Sequence, residues 1–429
     1  MTLPEEFIHY TRPLMGEERF SNFVNALEQP APVSIRVNPF KAVKKTSGGE
    51  WGEHVAWCPN GYYLNGRPAF TFDPLLHAGA YYVQEASSMF VDYIVRQFVH
   101  DPVSALDLCA APGGKTTCLR AALPEESCLY SNEPNAKRAQ VLAENVIKFG
   151  HPKVVVTNNY AIDYQRAGFR FGLILTDMPC SGEGMFRKTP DSIGEWSTAN
   201  VKKCAALQRE ILTDIWPCLL PGGLLIYSTC TFNAQENEEN VAFAVHRLGA
   251  EVLPIPIKEE WGVVKELTGK YPIRRFIPGM TQGEGLTVAL LRKPKMSSDA
   301  DSPTVMKAKS TQLRMLRMLS DGIKPPTVKG KKVIPDISQA LAINKAENSY
   351  PRIDVSYEEA IAYLRRESIS LPSSVAKGIV TVCYEGFALG FAKNLGTRAN
   401  NLYPQEWRIR STHLPDEQFV LPLDAIHDR

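Results

Sequence analysis

Between residues 103 and 292, short apolar runs alternate with stretches whose apolar positions recur every three to four residues. "VSALDLC" (103–109), "CLYSN" (128–132), "KVVVTN" (153–158), "FGLILTD" (171–177), "GGLLIYST" (222–229) and "LTVALLR" (286–292) read as strands. Runs of this length, rich in branched residues and bounded by turn formers, favour that state. "KTTCLRAAL" (115–123), "NAKRAQVLAENVIKFG" (135–150), "VKKCAALQREILTDIWPCLL" (201–220) and "NAQENEENVAFAVHRL" (233–248) carry the helical period, the second with a glycine stop at Gly150. Strands alternating with helices predict a parallel sheet covered on both faces.

Outside this block the pattern changes. Residues 1–60 predict helices followed by a short strand in "PVSIRVNPFKA", with a turn at Asn38-Pro39. "CPNGYYLNGRPAF" (58–70) reads as loop. "KMSSDADSPTVMKAKS" (295–310) has the composition of a disordered segment. Further on, "SYEEAIAYLRRE" opens with a capping box, Ser356 with Glu359, and "GIVTVCYEGFALGFA" alternates like a hairpin turning at Glu385-Gly386. The expected organisation is an accessory domain over 1–75, an α/β domain over 76–293, a basic linker over 294–350 and a small α+β module over 351–429.

Composition narrows the function. The chain is 44% hydrophobic and 22% charged, with no apolar stretch of the roughly 20 residues that span a bilayer. "MTLPEEFIHYTRPLMGEERF" carries acids and no apolar core of a secretory signal, so a cytoplasmic location is expected. Nine cysteines, scattered without CxxC or His-rich spacing, argue against both a disulfide framework and a metal site. Residues 292–350 hold twelve basic and five acidic residues, a surplus of seven in a chain of net charge +2. That fits either a polyanionic partner or a solvated linker.

Ligands of open parallel sheets sit beyond the carboxyl ends of the strands. The first such end is "LDLCAAPGGKTT" (106–117), where small residues and Gly113-Gly114 admit a ligand close to the backbone. A phosphate loop, GxxxxGK[ST], fails because its first glycine would fall on Cys109. The second strand ends at "SNEPN", where Glu133 stands where such sheets hold ribose hydroxyls; its other reading is an acid that merely begins a helix. A glycine turn with a ribose acid and no phosphate grip suits a nucleoside cofactor such as S-adenosylmethionine.

Two thiols end two strands: Cys180 in "DMPC" and Cys230 in "YSTC". In a doubly wound sheet those strands are neighbours, so the thiols share one lip. Enzymes that methylate exocyclic amines place D/N-P-P-aromatic at this corner; here a thiol replaces the aromatic. Cytosine C5 is a poor nucleophile until a thiolate adds to C6, and sulfur both attacks and leaves well. Asp177, three residues before Cys180, is placed to bond the base's amine or N3. Any single cysteine is more often a small core filler, and Cys109, Cys118, Cys204 and Cys218 are read that way for packing.

"RVNPFK", "YYVQEASSM", "LDLCAAPGGKTT", "DMPCSGEGMFRK" and "LIYSTCTFNAQENE" follow one another as do the motifs of the Nol1/Nop2/Sun family of RNA 5-methylcytosine methyltransferases, which the chain resembles over nearly its whole length. "YEGFALGFAKN" and "NNLYPQEWRIR" resemble the C-terminal RNA-binding module of its ribosomal-RNA branch. The resemblance implies a Rossmann-like class I fold, S-adenosylmethionine as cofactor, and 16S ribosomal RNA as partner. It makes Cys230 the nucleophile at C6 and has Cys180 assist product release. Cys109, Ala110, Ala111, Pro112, Gly113, Gly114 and Lys115 would line the cofactor pocket with Glu133 on the ribose; Asp177 would sit between cofactor and base, and Lys115 would also reach the base. Many relatives carry an aspartate near the adenine where this chain has Tyr160.

For RNA itself, Phe186, Arg187 and Lys188 follow the Pro-Cys corner as an aromatic and two cations that would stack on a base and grip its phosphates. Arg398, Arg408 and Arg410 give the C-terminal module the composition of an RNA surface, with Trp407 read as core. Nothing in the sequence calls for an obligate oligomer or a metal, and a monomer is expected. Two other readings stay open: a transfer-RNA cytosine methyltransferase, and a ribosome-assembly factor that binds RNA without catalysis.

Overall fold

The computed structural model describes residues 1–45, 51–295, 305, 308–330, 332–344, 349–396, 398–411, 413 and 417–426. Its centre is a nine-stranded sheet. In chain order the strands are β1 (Ser104–Asp107), β2 (Cys128–Asn132), β3 (Val154–Thr157), β4 (Phe171–Asp177), β5 (Leu219–Thr229), β6 (Glu251–Leu253), β7 (Arg274–Phe276), β8 (Leu286–Arg292) and β9 (Met318–Asp321). Across the sheet they run β6-β8-β5-β4-β1-β2-β3-β9, with β7 also paired to β8. Strands β1 to β5 are parallel, and β8 and β9 add antiparallel at either side. The chain reverses its direction of travel across the sheet between β1 and β4, and the carboxyl ends flanking that crevice hold ligands in such folds.

Alternate residues of the central strands face opposite sides of the sheet. Leu173 and Leu175 enter one apolar cluster with Leu129, Val156 and Ile226, while Ile174 enters the other with Leu106 and Leu225. All are buried. The continuous apolar runs in the sequence follow from this coverage on both faces.

Two stretches differ from the sequence expectation. Within the passage read as loop, Gly61–Leu64 is a strand paired with Val33–Val37, whose other edge pairs with Tyr81–Val83. The Gly, Pro and Asn residues there punctuate the strand's ends, and Tyr63 turns inward. Within the basic stretch, β9 completes the sheet edge against β3; in its four residues only Leu319 packs on the apolar core and the buried one is Ser320, too little for an apolar signature. Most of the segment 295–310 lies outside the described residues.

The N-terminal helices Glu5–Met15 and Glu17–Leu27 lay Phe7 and Phe23 against Phe186, Trp196 and Phe232 of the central α/β block. The N-terminal sheet reaches the same domain through Arg36, whose guanidinium bonds Gln84 Oε1 (2.8 Å) and Thr117 Oγ1 (2.5 Å). At the C-terminus a four-stranded sheet, Arg352–Asp354, Gly378–Tyr384, Phe387–Asn394 and Ala399–Asn401, packs on the helix Tyr357–Leu364. That helix begins with the Ser356–Glu359 capping box, and the hairpin turns at Glu385 (φ 46°) and Gly386 (φ 76°). This module shares one apolar cluster with the N-terminal sheet, where Ile35, Leu75 and Tyr81 join Tyr363, Val382 and Tyr403. Ala42–Lys44 also pairs with Leu423–Ala425.

Candidate active site

The carboxyl ends of β1, β2, β4 and β5 surround one crevice. After β1 the turn 108–113 leads into the helix Gly114–Ala122, with Gly113 in a left-handed conformation (φ 115°) that disfavours a side chain. A Cβ there would also lie 3.3 Å from Leu142 Cδ1. Arg138 donates to Ala111 O (2.9 Å) and Asn145 to Pro112 O (2.8 Å), fixing the turn from the next helix. Cys109 is half-buried and the first turn of Gly114–Ala122 has no side-chain cap.

Two carboxylates border this turn, each with a buried oxygen that accepts no hydrogen bond among the described residues: Asp107 Oδ1 and Glu133 Oε2. Glu133 accepts from Asn135 N through Oε1 (2.9 Å), so it does help to start its helix, while Arg138 Nη1 stands 3.3 Å from Oε2. Buried acceptors left without a donor are uncommon and call for a partner. Asp107 was hidden in the sequence because it sits within the apolar run "LDLC". Its Oδ2 accepts from Thr116 (2.7 Å), and burial pushes its carboxyl up to about 7 despite that bond, with Asp177 and Glu133 adding to the rise.

Asp177, at the end of β4, is held from both sides. Lys115 Nζ donates to Oδ2 (2.9 Å) and Ser228 Oγ to Oδ1 (2.8 Å). Burial alone would lower the Lys115 ammonium, but the attraction of Asp177 outweighs it and raises the pKa, so Lys115 is a fixed cation. Cys180 and Cys230, fifty residues apart, stand with their sulfurs 3.0 Å from each other, both free thiols. The backbone N–H of Cys230 also points at Cys180 Sγ (3.3 Å). The neighbouring Cys230 thiol, then burial, holds Cys180 well above the ordinary thiol range.

The remaining expected residues scatter. Tyr160 is 69% exposed on the rim beyond β3, and its backbone N–H donates to Asp163 (2.9 Å). The adjacent asparagines are engaged elsewhere, Asn158 with the Glu133 and Pro134 carbonyls and Asn159 with the Arg317 backbone. Two of the three residues expected to touch RNA after the Pro-Cys corner do not face solvent. Phe186 is fully buried, edge-to-face with Phe7 at 5.2 Å. Arg187 is inside too, paired with Glu284 (3.1 Å) and donating to Ala26 O and Gly283 O. The two N-terminal helices fold over this corner and take both side chains out of reach. Lys188, Arg398 and Arg410 are exposed; Arg408 is half-buried and donates to Gln405 O (3.0 Å). Trp407 is half-buried against the C-terminal core, under Lys148. Among the described residues no cluster of three or more potential ligands is placed for a metal ion, and no helix is long and apolar enough to cross a membrane.

Residues 99–292 match the family described as "16S rRNA methyltransferase RsmB/F". Residues 3–86 match the "N-terminal domain of 16S rRNA methyltransferase RsmF", and residues 350–409 the "Methyltransferase RsmF PUA domain". A ribosomal RNA small subunit methyltransferase F from Enterobacter sp. is 28% identical over 94% of this chain and 95% of its own. One from Aliivibrio fischeri is 32% identical over 71% of this chain and 66% of its own. Among solved structures, a methyltransferase homologue from Pyrococcus horikoshii superposes with a TM-score of 0.57 at 27% identity, over 68% of this chain and 95% of that one. NSun6 from the same organism, crystallised with SFG, gives 0.56 at 20% identity over 68% and 99%, a likeness of fold.

Proposed function

From the premise that the chain belongs to the RsmB/F family of 16S rRNA methyltransferases, we propose that it methylates C5 of cytosine in 16S ribosomal RNA through a covalent bond from Cys230 to C6. The observation that carries this reading is the pair of free thiols 3.0 Å apart beside a carboxylate pinned by Lys115 and Ser228.

The residues at the crevice fit S-adenosylmethionine. Glu133 Oε2 offers ribose hydroxyls a buried acceptor that takes no hydrogen bond among the described residues, Asp107 Oδ1 offers another to a cationic group, and Gly113 leaves room beside the turn. That cofactor supplies an electrophilic methyl group. Everything else falls to the chain's own side chains. The target cytosine is unpaired or flipped out, since a base inside a helix does not reach a sheet's lip. Asp177, held rigid, accepts from the cytosine amine or from protonated N3. Lys115 places a positive charge near Cys230, where negative charge develops as the sulfur prepares to attack.

Cys230 releases its thiol proton to solvent and the thiolate forms a bond to C6, and the electron pair of the C5–C6 double bond becomes available at C5, where the methyl group is accepted. A base then removes the C5 proton, the double bond re-forms and the S–C6 bond breaks with its electrons returning to sulfur. Cys180 suits that last stage. The largest cause of its raised pKa is the neighbouring Cys230 thiol; once Cys230 is bonded to C6 that cause is gone, and more of Cys180 stands as thiolate, able to take a proton, at the step that needs a base.

The test is to express Cys180→Ala in bacterial cells and sequence the RNA in protein–RNA species that survive denaturation. A stalled adduct on 16S RNA is expected. An adduct from Cys230→Ala but not from Cys180→Ala reverses the two roles, and transfer RNA in the adduct replaces the substrate.

A further inference from the structure

Behind the two thiols lies a polar network that the chemistry above does not use. Glu183 follows Cys180 in the chain, yet its carboxylate accepts from the backbone N–H groups of Phe232 (2.7 Å) and Asn233 (3.0 Å), which follow Cys230. Glu236 belongs to the segment after Cys230, yet it accepts from the backbone N–H of Ser181 (3.1 Å), the residue next to Cys180. The arrangement is reciprocal: each segment's acid holds the other segment's main chain. A direct backbone bond, Gly184 N to Cys230 O (2.8 Å), runs alongside.

Both carboxylates are buried, and among the described residues neither has an ion-pair partner. Two uncompensated buried anions are costly unless every oxygen is hydrogen-bonded. Here they are. Trp196 Nε1 also donates to Glu183 (3.0 Å) and Gln208 Nε2 to Glu236 (2.8 Å). The Asn233 amide spans them, 2.9 Å from Glu183 Oε1 and 2.7 Å from Glu236 Oε1. Glu236 also works against the neighbouring sulfur, since its charge raises the Cys180 pKa. A site that needs reactive sulfur keeps an unhelpful buried charge there for its geometry: a carboxylate that takes main-chain N–H groups fixes Cα positions, which a side-chain contact alone does not.

We propose that Glu183 and Glu236 form a reciprocal brace that sets the spacing between the Cys180 and Cys230 sulfurs, making both of them positioning residues. The link to catalysis rests on the two-thiol reading above; the spacing itself does not.

The spacing is read directly by treating the full-length protein with diamide, which takes up two hydrogens as two adjacent thiols join, and following the Cys180–Cys230 disulfide by peptide mass spectrometry. Glu236→Gln places an amide NH2 among the donors Ser181 N, Asn233 Nδ2 and Gln208 Nε2. Disulfide formation should slow by roughly tenfold or more, since small displacements of reacting atoms have large effects on rate. Affinity for S-adenosylmethionine should be unchanged, and the adjacent buried pair Cys58 and Cys118 should stay unoxidised. Asn233→Ala keeps both carboxylates and removes only the amide between them; it should act in the same direction and serves where Glu236→Gln does not fold. An unchanged disulfide rate in both variants overturns the brace, as does oxidation of Cys58 and Cys118 in step with Cys180 and Cys230, which would mark general loosening. Slowed disulfide formation with full methyl transfer supports the brace and removes the two-thiol reading instead.

Discussion

Arg187 separates a structural from a functional reading most sharply. In sequence it stands in a loop beside the catalytic corner and looks like a phosphate ligand. In the fold its side chain is 7% exposed, it faces Glu284 at 3% exposed, and it ties Ala26 of the N-terminal helices to Gly283. Arg187→Ala would leave the Glu284 carboxylate buried, with Glu85 as a like-charged neighbour, and would free two carbonyls. Removing one partner of a buried pair destabilises by about 3–5 kcal/mol. Arg187→Met with Glu284→Leu should recover most of that loss, because a buried pair replaced by apolar groups of similar size is often neutral. Lys188→Ala, on the exposed side of the same loop, should stay within about 0.5 kcal/mol. The assay is urea unfolding, read from midpoints at constant slope, together with RNA affinity against salt. Arg187→Ala should leave the salt slope unchanged, since Arg187 neutralises no phosphate. An Arg187→Ala protein as stable as the parent, with a salt slope lower by about one, would put the guanidinium on an RNA phosphate instead.

Asp107 makes stability depend on pH in a defined direction. Its folded pKa of about 7 lies above the ordinary carboxyl value of 3.8, so between those values the folded chain binds a proton that the unfolded chain has released, and stability falls as pH rises. Asp107→Asn should flatten this part of the profile in thermal melts taken from about pH 4 to 7; an unchanged slope would mean that Asp107 titrates normally. Glu133→Gln should weaken S-adenosylmethionine binding by about 1–3 kcal/mol without lowering the melting temperature, measured by calorimetry; equal affinity would place the ribose elsewhere. Tyr160→Ala should shift that affinity by no more than about twofold, as for a surface change, because its ring is 69% exposed and only its main chain is engaged. A larger loss would show that the ring closes over the adenine.

The strand ends were legible because they are local. Gly113, Asp177, Cys180 and Cys230 each follow an apolar run, and a parallel sheet brings such ends together whatever surrounds them. What escaped the sequence depends on partners far along the chain. Phe186 and Arg187 have the residue types of a nucleic-acid loop, and only the packing of Phe7 and the position of Glu284, 97 residues from Arg187, take them inside. Glu236, in the charged run "NAQENEEN", resembles a solvated helix start until Ser181 and Gln208 close around it. Asp107 draws no notice within its apolar run, because no pattern in one segment reveals that a buried oxygen lacks a donor.

The first and last modules of the chain meet each other. They share an apolar cluster and a two-stranded pairing between Ala42–Lys44 and Leu423–Ala425. Lys41, next to that pairing, grips Ala78 O (2.9 Å) and Lys148 O (2.6 Å), the latter in the last turn of the helix Ala136–Phe149 of the catalytic domain. The C-terminal module is therefore seated on the molecule and does not swing from its connecting segment. An RNA that touched it would meet the thiols at one fixed offset, as between the jaws of a caliper. The enzyme's choice of nucleotide would be set by distance along a folded RNA as much as by the bases beside the target, and lengthening the segment between the modules should not move the mark.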